Sequence, residues 1–128
     1  MSQIETEQYL QHRKLTEEER RVKSQHYLQK YEDSVPVFIC SISEGIAVPQ
    51  SKLLLKRVYT ISQFIRNIKR TGTQSKESVL YVYARDRILK PTETFEQVYQ
   101  RHQDSDGFLY LRVSEMPALG GESLNGSQ

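Results

Sequence analysis

The stretch that most restricts how this chain can fold is Thr60 to Arg70. Ile61, Phe64, Ile65 and Ile68 recur there at i, i+3, i+4 and i+7, which draws one apolar stripe along a helix. Thr60 and Gln63 have the spacing of a capping box, and Gly72 supplies a stop. The segments on either side change to a period of two, so this helix must bury its stripe against a sheet.

Before the helix, Val35 to Ser41 reads as a strand, with Val35, Val37 and Ile39 on one face and Pro36, Phe38 and Cys40 on the other. Ser43 to Gln50 carries Gly45 and Pro49 and reads as a hairpin loop. Ser51 to Lys56 is the returning strand, with Lys52, Leu54 and Lys56 facing one way and Leu53 and Leu55 the other. After the helix, Val79 to Ala84 is rich in β-branched and aromatic residues. Arg85 and Asp86 turn it into a short further strand at Ile88 and Leu89. Thr92 to His102 is a second helix, with Phe95, Val98, Tyr99 and His102 on one face. Phe108 to Val113 is the last strand, with Leu109, Leu111 and Val113 on its core side.

Residues 1–33 are charged and contain neither Gly nor Pro. Thr16 with Glu17, Glu18 and Glu19 forms a helix start, and Thr16 and Glu19 again have capping-box spacing. Val22 and His26, with Tyr27 beside them, make a weakly apolar face, so this helix must lean on something else to persist. An earlier short helix is expected over residues 5–13.

The element order defines an α+β, β-grasp (ubiquitin-like) fold: a mixed four- to five-stranded sheet with an N-terminal helical extension. The last strand should lie centrally, beside the first. The expected division is 1–33 for the helical extension packed on the domain, 34–113 for the β-grasp domain, and 114–128 for a flexible exit and tail.

At 128 residues the chain has room for one domain. The single Cys40 excludes an internal disulfide and fits a reducing compartment. A net charge of +2, from 18 basic and 16 acidic residues, does not call for nucleic acid. The chain opens without a signal-peptide pattern and has no apolar run long enough for a membrane span, so a cytoplasmic, soluble protein is expected. Cys40 lies in a strand and reads as a packed residue rather than a nucleophile. His12, His26 and His102 lack metal-ligand spacing and read as helix-face residues, so no metal is expected. Arg66, Lys69 and Arg70 form a small basic patch on a helix face.

Three segments carry a family resemblance. Lys30 to Val37 (K-Y-E-D-S-V-P-V) resembles the Lys-Tyr-Pro-Asp-Arg-Val-Pro-Val signature of the autophagy ubiquitin-like modifiers, which include the microtubule-associated light chains, the GABA-receptor-associated proteins and their yeast relative. Tyr59 to Ile65 is similar to their Leu-Thr-Val-Gly-Gln-Phe helix start, and Asp104 to Tyr110 to their Asp-Glu-Asp-Gly-Phe-Leu-Tyr. Ten residues beyond Tyr110 stands Gly120, where the family has its scissile glycine.

The resemblance implies a substrate and scaffold of the conjugation pathway, not an enzyme. A cysteine protease would remove the residues after Gly120. Activating and conjugating enzymes would then pass the new carboxylate to the amine of phosphatidylethanolamine, a covalent modification that needs no cofactor. Glycine suits this position because an enzyme channel narrow enough to take it would exclude a Cβ. Gly121 is the second candidate acceptor, since Leu119-Gly120-Gly121 also has the look of ubiquitin's double glycine. The conjugated protein would coat the autophagosome membrane and recruit cargo receptors, otherwise remaining a cytoplasmic monomer.

Receptors would dock by an aromatic-x-x-aliphatic motif added as a strand to the edge Lys52 to Leu55. Strand parity places Pro36, Phe38, Lys52, Leu54, Phe108 and Tyr110 on the side away from the long helix. By resemblance, pocket one comprises Lys23, Tyr27, Pro36, Phe38, Lys52, Leu54 and Phe108. Pocket two and the edge strand comprise Leu53, Leu55, Tyr59 and Phe64. The N-terminal helix would form one wall of pocket one or cover Pro36, Phe38 and Phe108. The chain departs from the family at Lys23, where an acid is usual, and at Tyr27, Lys56, Asn67 and Thr71. Lys23 would favour acids flanking the ligand motif. Two alternatives stand beside this reading: a modifier joined to a lysine of another protein, and a ubiquitin-fold interaction domain that is never conjugated.

Overall fold

The computed structural model describes residues 7–41, 51–71 and 78–115. Its elements are α1 (Glu7–Arg13), α2 (Glu17–Lys30), β1 (Ser34–Ser41), β2 (Lys52–Lys56), α3 (Ile61–Thr71), β3 (Leu80–Ala84), β4 (Arg87–Ile88), α4 (Phe95–His102) and β5 (Leu109–Glu115). The expected hairpin loop, Gly72, Gly120 and Gly121 lie outside the described residues.

The strands form one five-stranded sheet in the order β2-β1-β5-β3-β4. As expected, the last strand is central and beside β1; it runs parallel to β1, with Phe38 opposite Tyr110 and Ile39 opposite Leu111. β2 lies antiparallel to β1, pairing Pro36 with Leu54 and Phe38 with Lys52. One face of the sheet carries the main core. Val35, Val37, Ile39, Val82, Leu109, Leu111 and Val113 meet Ile61, Phe64 and Ile68 of α3 and Phe95, Val98 and Tyr99 of α4. The apolar stripe of α3 is thus absorbed by the sheet, which supplies most of the driving force for the fold.

Differences from the sequence reading have local causes. α4 starts at Phe95 rather than Thr92, because Thr94 is the cap: its hydroxyl accepts from the Gln97 N–H, and the Gln97 side chain returns to the Thr94 N–H. The last strand runs past Val113 to Glu115, because β3 continues to pair with it there. The β3–β4 turn leaves Arg87 and Ile88 paired and sends Leu89 into the core, 4 % exposed.

The far face of the sheet is covered by α1 and α2. The α2 capping box forms as expected, with the Thr16 N–H on Glu19 Oε1 at 2.8 Å and the Glu19 N–H on Thr16 Oγ1 at 3.1 Å. Of the face expected to dock, Tyr27 turns inward onto Phe108, but Val22 is 57 % exposed and His26 is exposed. α2 turns inward Ser24, 1 % exposed, with Arg20, Tyr27 and Leu28 beside it. Polar fit has replaced apolar area as the docking force, because the Ser24 hydroxyl donates to the Asp106 carbonyl at 2.6 Å.

Gly107 makes that approach possible. Its φ of +88° favours glycine, and a Cβ there would stand 2.2 Å from Ser24 Oγ and 2.9 Å from Ser24 Cβ. Gly107→Ala should therefore lower unfolding free energy by about 2 kcal/mol or more, from backbone strain and the forced retreat of α2. Urea denaturation checks this, and a loss below about 0.5 kcal/mol would place the variant among ordinary surface changes.

Candidate functional site

The sheet face opposite α3 and α4 bears an aromatic cluster. Phe38 and Phe108 are 1 % and 0 % exposed, with ring centroids 5.3 Å apart. α1 closes over them: the His12 ring lies 4.0 Å from Phe38 and 4.7 Å from Phe108, and Tyr9 lies 5.7 Å from Phe38. Tyr27 of α2 meets Phe108 edge-on at 6.3 Å.

Under this cluster runs a chain of hydrogen bonds. Arg20 Nε donates to Asp106 Oδ2 at 2.8 Å, and the Tyr110 hydroxyl donates to the same oxygen at 2.6 Å. The Phe108 N–H takes Asp106 Oδ1 at 2.9 Å. Tyr110 Oη lies 2.7 Å from His12 Nε2. Its single proton is already given to Asp106, so Nε2 must be the donor, and the ring, kept neutral near pH 7 by its burial, is the Nε2–H tautomer. Burial, then donation to Asp106, pushes the Tyr110 phenol above its ordinary value, which keeps it a donor.

His12 is held down to about 4 from its ordinary 6.5. Burial is the largest cause. Asp106 opposes it, while Arg20, Lys52 and Lys23 add to it.

At the sheet edge, Tyr27, Pro36, Lys52, Leu53 and Leu54 line a groove of about 300 Å³. Lys52 Nζ donates to Tyr27 Oη at 2.7 Å, tying the rim of α2 to β2. The Ile39 N–H bonds the Ser51 carbonyl, so the backbone groups of Lys52 and Leu54, at the alternate positions, face outward. That is the arrangement an added strand requires.

Of the residues expected in pocket one, the groove gathers Tyr27, Pro36, Lys52 and Leu54. Phe38 and Phe108 lie beneath, covered by α1 and α2, and Lys23 is exposed on α2. Of those expected in pocket two, Leu53, Leu55 and Tyr59 are half-buried against the core, and Phe64 is 5 % exposed within it, edge-on to Phe95. Lys56 pairs with Asp33 across an exposed 2.5 Å contact, and Asn67 donates to Tyr59 Oη at 2.6 Å.

His12, a plain helix-face residue by sequence, is 6 % exposed and bonded to Tyr110 of the sheet. Arg20, Ser24 and Asp106 carry no periodic or motif signal of their own that marks them as contacts between α2 and the sheet. The signal open to a reader of the sequence was Asp106 beside Gly107, a carboxylate next to a glycine that leaves room for a helix.

The five-stranded sheet with α3 against it defines a ubiquitin-like fold. The crystal structure of Trypanosoma brucei ATG8 superposes with a TM-score of 0.73 at 23 % identity, covering 88 % of this chain and 96 % of that one. The family model described as "Autophagy protein Atg8 ubiquitin like" matches residues 19–120. Autophagy-related protein 8 of Eremothecium gossypii is 31 % identical over 108 residues, covering 82 % of this chain and 89 % of that protein. Its Candida glabrata counterpart is 30 % identical over 106 residues, covering 80 % and 89 %. The chain belongs to the Atg8 family of ubiquitin-like autophagy proteins.

The buried neutral imidazole carries a pH signature. Between pH 6.5 and about 4 the unfolded chain takes a proton that the folded chain refuses. Stability should therefore be intact above pH 6.5 and decline as pH falls towards 4, by at most about 3 kcal/mol. Denaturation across that range checks the decline, and the proton-NMR titration of His12 should show a midpoint well below 6.5.

Proposed function

We propose that this chain is a ubiquitin-like modifier that is processed after Gly120, joined to phosphatidylethanolamine, and acts in autophagosome formation and receptor recruitment. The groove along β2 carries the reading: a sheet edge whose backbone groups point outward, beside Tyr27, Pro36, Lys52 and Leu54. It suits an extended aromatic-x-x-aliphatic peptide, whose backbone would pair with Lys52 and Leu54 while its side chains enter the flanking apolar positions. The family match ends on residue 120, in keeping with Gly120 as the acceptor and Gly121 as its alternative.

The chemistry needs no catalytic group of this chain. A cysteine protease hydrolyses the Gly120–Gly121 amide and leaves a glycine carboxylate. The activating enzyme adenylates that carboxylate at the expense of ATP and takes the acyl group as a thioester. The conjugating enzyme delivers it to the phospholipid amine, forming an amide and releasing the thiol. The chain itself is substrate and scaffold, requires no cofactor, and moves between cytoplasm and autophagosome membrane as the anchor is added or removed.

Mass spectrometry of the protein from a membrane fraction of its source cells tests the proposal. The expected product ends at Gly120 and carries one phospholipid, and Gly120→Ala should abolish it. An intact chain ending at Gln128 under autophagy-inducing conditions would overturn the proposal in favour of an interaction domain that is never conjugated. A product joined to a protein lysine would replace the lipid with an isopeptide partner.

A further inference from the structure

The β2 edge already has an occupant. Gln8 of α1 places Oε1 3.1 Å from the Lys52 N–H and 3.2 Å from the Ser51 hydroxyl. One of the outward donors that an added strand would need is therefore engaged by the chain's own side chain. The same short helix lays Tyr9 and His12 over Phe38, so it closes both the backbone edge and the aromatic floor.

We propose that α1 is a displaceable lid on the β2 groove, with Gln8 blocking the Lys52 N–H and the His12–Tyr110 contact serving as its latch. The inference rests on the groove being a peptide site, and it adds that the site is held closed by the N-terminal helix.

α1 contains only the residues Glu7–Arg13, too few to persist as a helix without its docking contacts. A peptide pairing with Lys52 must displace Gln8, and its apparent affinity falls by the fraction of molecules in which the lid is open.

The latch responds to protons. From the turn before β5 and from β5 itself, Asp106 and the Tyr110 hydroxyl face His12, and Asp106 alone favours its charged form. From α2 come Arg20 and Lys23, from β2 comes Lys52, and all three oppose a second cation. On α1 itself, Arg13 lies over the Tyr9 ring and adds a positive charge nearby. A proton on His12 also charges a ring that is 6 % exposed and packed against Phe38 and Phe108. Lid opening re-solvates the imidazolium, so acidification should open the lid before it unfolds the sheet.

The test uses the full chain and a synthetic aromatic-x-x-aliphatic peptide without ionisable side chains, with Kd measured by calorimetry between pH 7.5 and 5. Gln8→Ala should tighten binding about threefold to tenfold at pH 7.5, the scale of one lost hydrogen bond in the closed state. Wild-type affinity should rise as pH falls from 7.5 to 5. His12→Gln, which keeps a donor for Tyr110 but does not titrate, should abolish that dependence.

Binding that Gln8→Ala and pH both leave unchanged would overturn the lid while leaving the groove standing. If the peptide binds to none of the proteins, the groove reading fails, and amide exchange of Lys52 judges the lid alone. That amide should be protected in the wild type at pH 7.5 and exchange markedly faster in Gln8→Ala. Equal rates in the two proteins would overturn the lid as well.

Discussion

The Asp106 carboxylate, 1 % exposed, receives Arg20 from α2, the Tyr110 hydroxyl from β5 and the Phe108 N–H from its own turn. A carboxylate buried that deeply is costly unless every partner is in place. The Asp106 carbonyl adds the Ser24 hydroxyl, and Gly107 leaves room for it. One residue thus holds α2 against the sheet and, through Tyr110 and His12, fixes where α1 lies. The dependence follows from α2 having no apolar stripe of its own: with Val22 turned outward, specific polar contacts must hold the helix.

The two faces of the sheet are accordingly held by different physics. Towards α3 and α4 the core is apolar and closely packed, with Phe64, Phe95 and Ile61 against Val35, Val37 and Leu111. Such a layer resists local opening. Towards α1 and α2 a small aromatic cluster sits on a polar chain that ends in a buried imidazole. The face that bears the groove is the one whose cover depends on a few polar contacts.

The scaffold was legible in the sequence because its signals are local and periodic. The stripe from Ile61 to Ile68, the alternation in β1 and β5, and the caps at Thr16 and Thr60 each state a structure without reference to the rest of the chain. Strand parity also placed Pro36 and Leu54 on one face, where the structure has them paired. The N-terminal cover was less legible. His12 and Tyr110 lie 98 positions apart, and Arg20 and Asp106 lie 86 apart. Helical periodicity pointed to Val22 and His26 because it weighs apolar character, whereas α2 docks through Ser24 and Arg20.

Asp106 thus fastens the N-terminal helices to the sheet, whose main core lies on its other face. Residue-resolved amide hydrogen exchange on Asp106→Asn at neutral pH tests that fastening most directly. The amides of α1 and α2 should lose protection while those of α3, β3 and the core of β5 keep it. Unchanged protection in α1 and α2, or an equal loss across the whole molecule, would contradict it.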